Sequence, residues 1–186
     1  MEMKDILVLL LIALVGVVIV GVLLFPADPG HLIASDTSSS EWLDVPFTDA
    51  LTGDTVTIRS LRDGGRTVIV QTFSVSCSIC TDQLGELSRL QGDHPDEIAV
   101  VGLALDPSVS GGTLKIHAED NGLTVIMAAS PTSLTAGFVD GWGRDMFVPS
   151  NTPVVLFCPE GNKAYKMRNG LKSAEEVWQS VSDICA

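Results

Sequence analysis

The run Thr67-Val68-Ile69-Val70-Gln71-Thr72-Phe73 is nearly unbroken in apolar and β-branched residues, and it leads directly into the pair Cys77-Ser78-Ile79-Cys80. A run without polar–apolar alternation suits a strand covered on both faces, not a strand with one wet face. After Cys80, apolar residues recur at Leu84, Leu87 and Leu90, which is helical spacing. The cysteine pair therefore sits where a buried strand hands over to a helix. That handover is the repeating unit of an α/β sheet, and it limits the chain to a small set of architectures.

The rest of the chain extends the same alternation. Residues 98–105 (IAVVGLAL) and 154–157 (VVLF) predict two more buried strands, and 123–127 a short one. Helices are predicted over 111–121, with Gly122 as the stop, over 133–142, and over 173–185. Ser173 with Glu176 three residues later has the form of a capping box. Residues 159–162 (PEGN) read as a turn, with 163–168 returning as a strand that adds an antiparallel edge. Residues 47–58 predict an amino-terminal hairpin turning at Gly53-Asp54. The expected fold is α/β: a central, mostly parallel mixed sheet with helices on both faces. No internal repeat is visible.

The cysteine pair carries the chemistry. Free backbone N–H groups and the positive dipole end at a helix start stabilise a thiolate over a thiol. A thiolate attacks a disulfide through a mixed-disulfide intermediate, and a second thiol one turn along resolves it. Position assigns Cys77 as nucleophile and Cys80 as resolving residue. The alternatives are a structural bridge or half of a zinc site. A bridge across so small a ring gains little chain entropy. A zinc site needs two more close ligands, and Cys158 and Cys185 do not form a second such pair.

Upstream lies Ile6 to Phe25, an apolar run with no charge and no proline. About 20 helical residues span roughly 30 Å, the depth of a hydrocarbon core. The run exceeds the usual signal-peptide apolar region, so residues 6–25 are expected to be an uncleaved transmembrane anchor after a short tail, 1–5. Lys4 precedes the run, and no Lys or Arg follows it between Pro26 and Glu41. The positive-inside rule then places the amino terminus inside and the domain outside the cytoplasm, as a single-pass cell-membrane protein. Residues 26–42, rich in Pro, Ser and Asp, read as a linker, with the domain itself over 43–186. The net charge of −12 disfavours nucleic acid as a partner.

With these features in place, the chain resembles the thioredoxin-like superfamily over roughly residues 45–186. Residues 68–80 are similar to the thioredoxin strand, loop and CxxC. Asn151-Thr152-Pro153-Val154-Val155-Leu156-Phe157, followed by Gly161, is similar to the second signature of those proteins. The anchor, the amino-terminal hairpin and an extra βα unit near 98–121 resemble the membrane-tethered thiol–disulfide reductases of the TlpA/ResA type. The resemblance implies protein thiol or disulfide substrates, an electron donor or acceptor it does not name, and no cofactor or resident metal. Cytochrome c maturation and disulfide quality control are the implied settings. It implies that Pro153 is a cis-proline, a bond that costs only about 0.5–1 kcal/mol, and that the Thr152 backbone faces an extended substrate.

Three positions depart from the family pattern. Gln71 stands where thioredoxins carry a buried carboxylate, so the usual proton acceptor for Cys80 is missing. Ser76 replaces the tryptophan before the first cysteine, and Ser78-Ile79 carries no cation. Cys158 ends the strand that Pro153 begins, and the last helix returns Cys185 toward the same pole, far from Cys77. A bridge between them would close a loop of about 27 residues, worth roughly 3–4 kcal/mol in the chain-entropy model. Two unpaired buried thiols are the alternative.

Rival functions are a copper chaperone of the SCO type and a tethered binding domain without catalysis. A copper site would want a histidine late in the chain, whereas His31, His94 and His117 all come earlier and read as polar surface residues. A peroxiredoxin would need a proline where Val70 stands.

Overall fold

The computed structural model describes residues 32–37 and 40–185. The expected tail, the apolar run 6–25 and residues 26–31 and 38–39 of the linker lie outside the described residues. Among the described residues no helix is long and apolar enough to cross a membrane.

The strand expected from Thr67 is β4 (Thr67–Phe73), buried at every residue, as is β5 (Ile98–Ala104). Between them runs α2 (Ser78–Asp93), and β5 continues through α3 (Gly111–Asn121) to β6 (Ile126–Ala129). Strands β4, β5 and β6 are parallel, with Thr67 opposite Ile98 and Val101 opposite Ile126. After α4 (Thr132–Trp142), β7 (Val154–Phe157) returns antiparallel to β4, with Gln71 opposite Val154. Then β8 (Lys163–Lys166) pairs with β7, and α5 (Ala174–Cys185) ends the described chain. With β1 over Ile33–Asp36, the sheet order is β1-β8-β7-β4-β5-β6.

The edge strand β1 (Ile33–Asp36) corrects the expected boundary at residue 43. It lies inside the expected linker and pairs antiparallel with β8, Ile33 opposite Lys166, so the domain begins earlier and β8 is not the edge. The expected hairpin is smaller than its sequence suggests. Strands β2 (Phe47–Thr48) and β3 (Thr55–Val56) form a separate two-stranded sheet. Thr57 then stops the strand by capping α1 (Ile58–Asp63). Its side chain accepts from the Ser60 amide, and the Ser60 side chain accepts from the Thr57 amide.

Alternation along β4 divides the core. Ile69 and Phe73 face α2, α3 and α5 with Leu84, Leu87, Leu114 and Val177. Val68 and Val70 face α1 and α4 with Leu61, Leu134, Phe138 and Trp142. Helices therefore cover both faces, as the continuous apolar strands require. Gly122 stops α3 in the left-handed region, φ 63°, where a Cβ would be strained. At the start of α5 only half of the capping box forms. Ser173 Oγ accepts from the Glu176 amide, but the Glu176 carboxylate turns to Arg168, 2.8 Å away. Glu86 from α2 takes the Ala174 amide instead.

Candidate active site

Strand β4 delivers the chain to the carboxyl end of the sheet, and Cys77 is the N-cap of α2 there. Its backbone is extended, and its carbonyl accepts the amides of Cys80 and Thr81 at 3.1 and 3.2 Å. The helix therefore starts at the cysteine pair, as its spacing predicts. Cys77 and Cys80 are disulfide-bonded, with Cα atoms 5.3 Å apart. Cys77 is half-buried and Cys80 fully buried. An attacking sulfur must be reached from outside, whereas a resolving sulfur need only reach its neighbour.

Cys80 belongs to the apolar core on that side of the sheet and has two neutral polar contacts. Its Sγ lies 3.1 Å from the carbonyl oxygen of Pro149. Gln71, fully buried on the same face of β4, donates from Nε2 to the Cys80 carbonyl at 3.1 Å. Its Oε1 is buried with no partner. An unpaired buried acceptor costs about 1–3 kcal/mol. On the other face, Thr72 donates to the Met146 carbonyl at 2.7 Å and fixes the segment leading to Pro149.

His117 was missed in sequence because nothing local brings α3 to the cysteines. It is half-buried and not a plain surface residue. Its ring stacks on Phe73 at 5.9 Å, and Nε2 lies 3.3 Å from Thr81 Oγ1. Burial lowers its pKa, against a small opposing pull from Asp120. His94 is at the far end of α2, stacked on Trp178 with centroids 3.6 Å apart. His31 lies outside the described residues. Among the described residues no group of three or more His, Cys, Asp or Glu is placed to hold a metal ion.

The second signature is corrected in two respects. No cis peptide bond occurs among the described residues, so the Thr152–Pro153 bond is trans. The chain reverses there through Thr152, which takes the left-handed conformation at φ 44°, ψ 57°. Thr152 is fully buried and its backbone is satisfied internally. Its amide donates to Pro149 and its carbonyl accepts from Lys172 Nζ at 2.9 Å. It does not face an incoming strand. Lys172 itself escaped the sequence reading, because a lysine between turn residues and a helix cap reads as solvent-exposed. It is fully buried, and burial, followed by repulsion from Arg168, pushes its pKa down to about 8.

At the opposite pole Cys158 and Cys185 are bonded, Cα atoms 5.1 Å apart, joining the end of β7 to the end of α5. Phe157 is opposite Val68 at the start of β4, so this bridge lies a strand's length from Cys77.

No protein-family model matches the sequence, and no curated protein does. Solved structures do match in shape. A secreted disulfide oxidoreductase of Mycobacterium tuberculosis, homologous to DsbE of E. coli, superposes with a TM-score of 0.56 at 18% identity, over 78% of this chain and 100% of the other. A thiol:disulfide interchange protein of the thioredoxin family from Chlorobium tepidum gives 0.61 at 15% identity, over 76% and 93%. BsSco, a member of the Sco family of cytochrome c oxidase assembly proteins, gives 0.62 at 13%, over 83% and 95%. The fold is thioredoxin-like.

Proposed function

We propose that this thioredoxin-like chain is a thiol–disulfide oxidoreductase working through Cys77 and Cys80 on protein substrates outside the cytoplasm. The observation that carries this is the bridge at the start of α2, with one sulfur half-buried and the other sealed beneath it. In the reducing direction the Cys77 thiolate attacks a substrate disulfide. One substrate sulfur leaves as thiolate and the other stays bonded to Cys77. The Cys80 thiol, on losing its proton, attacks Cys77 Sγ, frees the second substrate thiolate and restores the Cys77–Cys80 bond. The oxidising direction is the reverse. The named oxidoreductases of the same fold support this chemistry. For a Sco-like copper role the shared fold alone speaks, while the His117 ring nitrogen is turned to Thr81.

Residues 6–25 are proposed as the anchor that tethers the domain. Cytochrome c maturation and disulfide quality control are the two settings the reading admits. The test is insulin reduction by the purified protein with dithiothreitol as electron source. Turnover is expected, and Cys77→Ser abolishes it. A Cys80→Ser variant is expected to accumulate the mixed disulfide. An inactive wild type, or a fully active Cys77→Ser, removes the proposal. For the tether, alkaline carbonate should leave the full chain in the membrane pellet; release into the supernatant rejects an integral anchor.

A further inference from the structure

Lys172 is a fully buried cation that the chemistry above does not use. Its Nζ donates to the carbonyls of Thr152 at 2.9 Å, Arg168 at 3.2 Å and Gly170, and it lies 3.4 Å from Thr152 Oγ1. Among the described residues it forms no ion pair: Arg168 takes Glu176, and Lys166 takes Asn169 at 2.8 Å with Asp145 at 3.9 Å. Burying an ammonium on neutral acceptors alone is costly, so its position calls for a reason.

The contacts supply one. The Lys172 backbone is held on both sides by Gln83 of α2: its amide donates to Gln83 Oε1 at 2.8 Å, and its carbonyl accepts from Gln83 Nε2 at 3.0 Å. Gln83 lies one helical turn past Cys80. The Lys172 ammonium then fixes the Thr152 carbonyl. The Thr152 amide fixes the Pro149 carbonyl at 2.8 Å, and that carbonyl is the group at Cys80 Sγ. Gly170 adds a parallel bond to Asn151. A closed ring of contacts thus runs from the cysteine helix through Lys172 and back to the buried sulfur.

We propose that Lys172 is a positioning residue for the Cys77–Cys80 couple, holding the Pro149 carbonyl where the Cys80 thiol needs an acceptor once the bridge is reduced. The inference rests on the oxidoreductase reading. In the disulfide Cys80 Sγ carries no proton, so the Pro149 oxygen gains no hydrogen bond there. Reduction by two thiols, as with glutathione, delivers two electrons and two protons, the S–S bond breaks, and the two donor sulfurs leave joined as a disulfide. The Cys80 S–H then donates to Pro149. Holding the carbonyl in place therefore favours the dithiol form.

The test is the equilibrium of the full-length protein with glutathione. Lys172→Met is expected to lower the constant for reduction of Cys77–Cys80 at least threefold, the loss of about one hydrogen bond. A tenfold fall would correspond to about 30 mV. Lys172→Gln keeps one donor and should fall between wild type and Lys172→Met. Gln83→Leu keeps the ammonium but frees its backbone, and should shift the same way. A shift under threefold in folded Lys172→Met overturns the inference while leaving insulin turnover intact, whereas an insulin-inactive wild type overturns the reading beneath it. Should no variant fold, wild type decides: the Thr152 amide resonance must move between oxidised and reduced protein, and an unmoved resonance rejects the ring.

Discussion

Removing the Cys158–Cys185 bridge should separate stability from chemistry. It spans a sequence separation of 27, against 3 for the Cys77–Cys80 bridge. In the chain-entropy model the first restricts the unfolded chain by roughly 3.5 kcal/mol at 25 °C and the second by roughly 2. Cys158 is also buried at the end of β7, so truncation to alanine adds about 1 kcal/mol of lost packing. The double variant Cys158→Ala/Cys185→Ala should therefore lose about 4.5 kcal/mol, a large part of the 5–15 kcal/mol typical of a domain. Its insulin turnover below the unfolding transition should stay within about twofold of wild type, because the site lies at the other end of β4. The assay is equilibrium urea unfolding followed by tryptophan fluorescence, with Cys77–Cys80 oxidised in both proteins. A loss below about 1.5 kcal/mol would refute the entropic account. A tenfold drop in turnover of the folded variant would refute the separation of the two poles.

Gly137→Ala should destabilise by about 2 kcal/mol and red-shift tryptophan emission. Its Cβ would fall 2.3 Å from Trp42 Cγ, and overpacking outweighs the ~1 kcal/mol of helix propensity gained; a more stable variant refutes it. Gln71→Leu removes an orphan acceptor along with one hydrogen bond, so urea unfolding should show a gain of about 1 kcal/mol. A loss above about 1 kcal/mol would mean that Oε1 has a partner. Lys172 makes stability depend on pH. Its folded pKa is about 8 against 10.5 unfolded, so between those values the unfolded chain holds the extra proton. Stability should rise with pH across that window by up to about 1.4 kcal/mol per unit, and the gain is lost as pH falls through 8. Denaturation at a series of pH values should show this slope in wild type and not in Lys172→Met.

The sequence disclosed those parts of the fold whose signals are local. Thr67–Phe73 and Ile98–Ala104 are buried on both sides, so they carry no alternation to misread, and Leu84 and Leu87 repeat with the helix that covers them. Ile33–Asp36 was invisible because two apolar residues among Pro, Ser and Asp make no pattern. The segment is a strand only because Lys163–Lys166, far along the chain, offers an open edge. Trp42 lay within the expected linker for the same reason. Its ring is held by Phe138, Trp142 and Phe157 above Gly137, all distant in sequence. At residue 58 the local signal is there in the sequence: Thr57 and Ser60 cap a helix where the β-branched residues suggest a longer strand.

The site divides the same way, and the division bears on how it handles protons. Cys77 and Cys80 were legible because strand, turn and helix are contiguous. The missing carboxylate was legible too, as Gln71. What lies there instead was not, since Pro149 meets Cys80, and Lys172 meets Thr152, only through tertiary contacts. A carboxylate could accept the Cys80 proton outright. The carbonyl of Pro149 can accept a hydrogen bond but cannot carry the proton away. Cys77 lies at the open start of α2, where helix amides favour its thiolate. The two sulfurs therefore sit in unlike surroundings, one at a helix start and one buried against a neutral acceptor. On the oxidoreductase reading the outer sulfur is the one placed to attack and the inner one to resolve the mixed disulfide. No carboxylate stands at position 71 to take the Cys80 proton, so on that reading resolution, more than attack, should respond to how tightly the 149–152 segment is held.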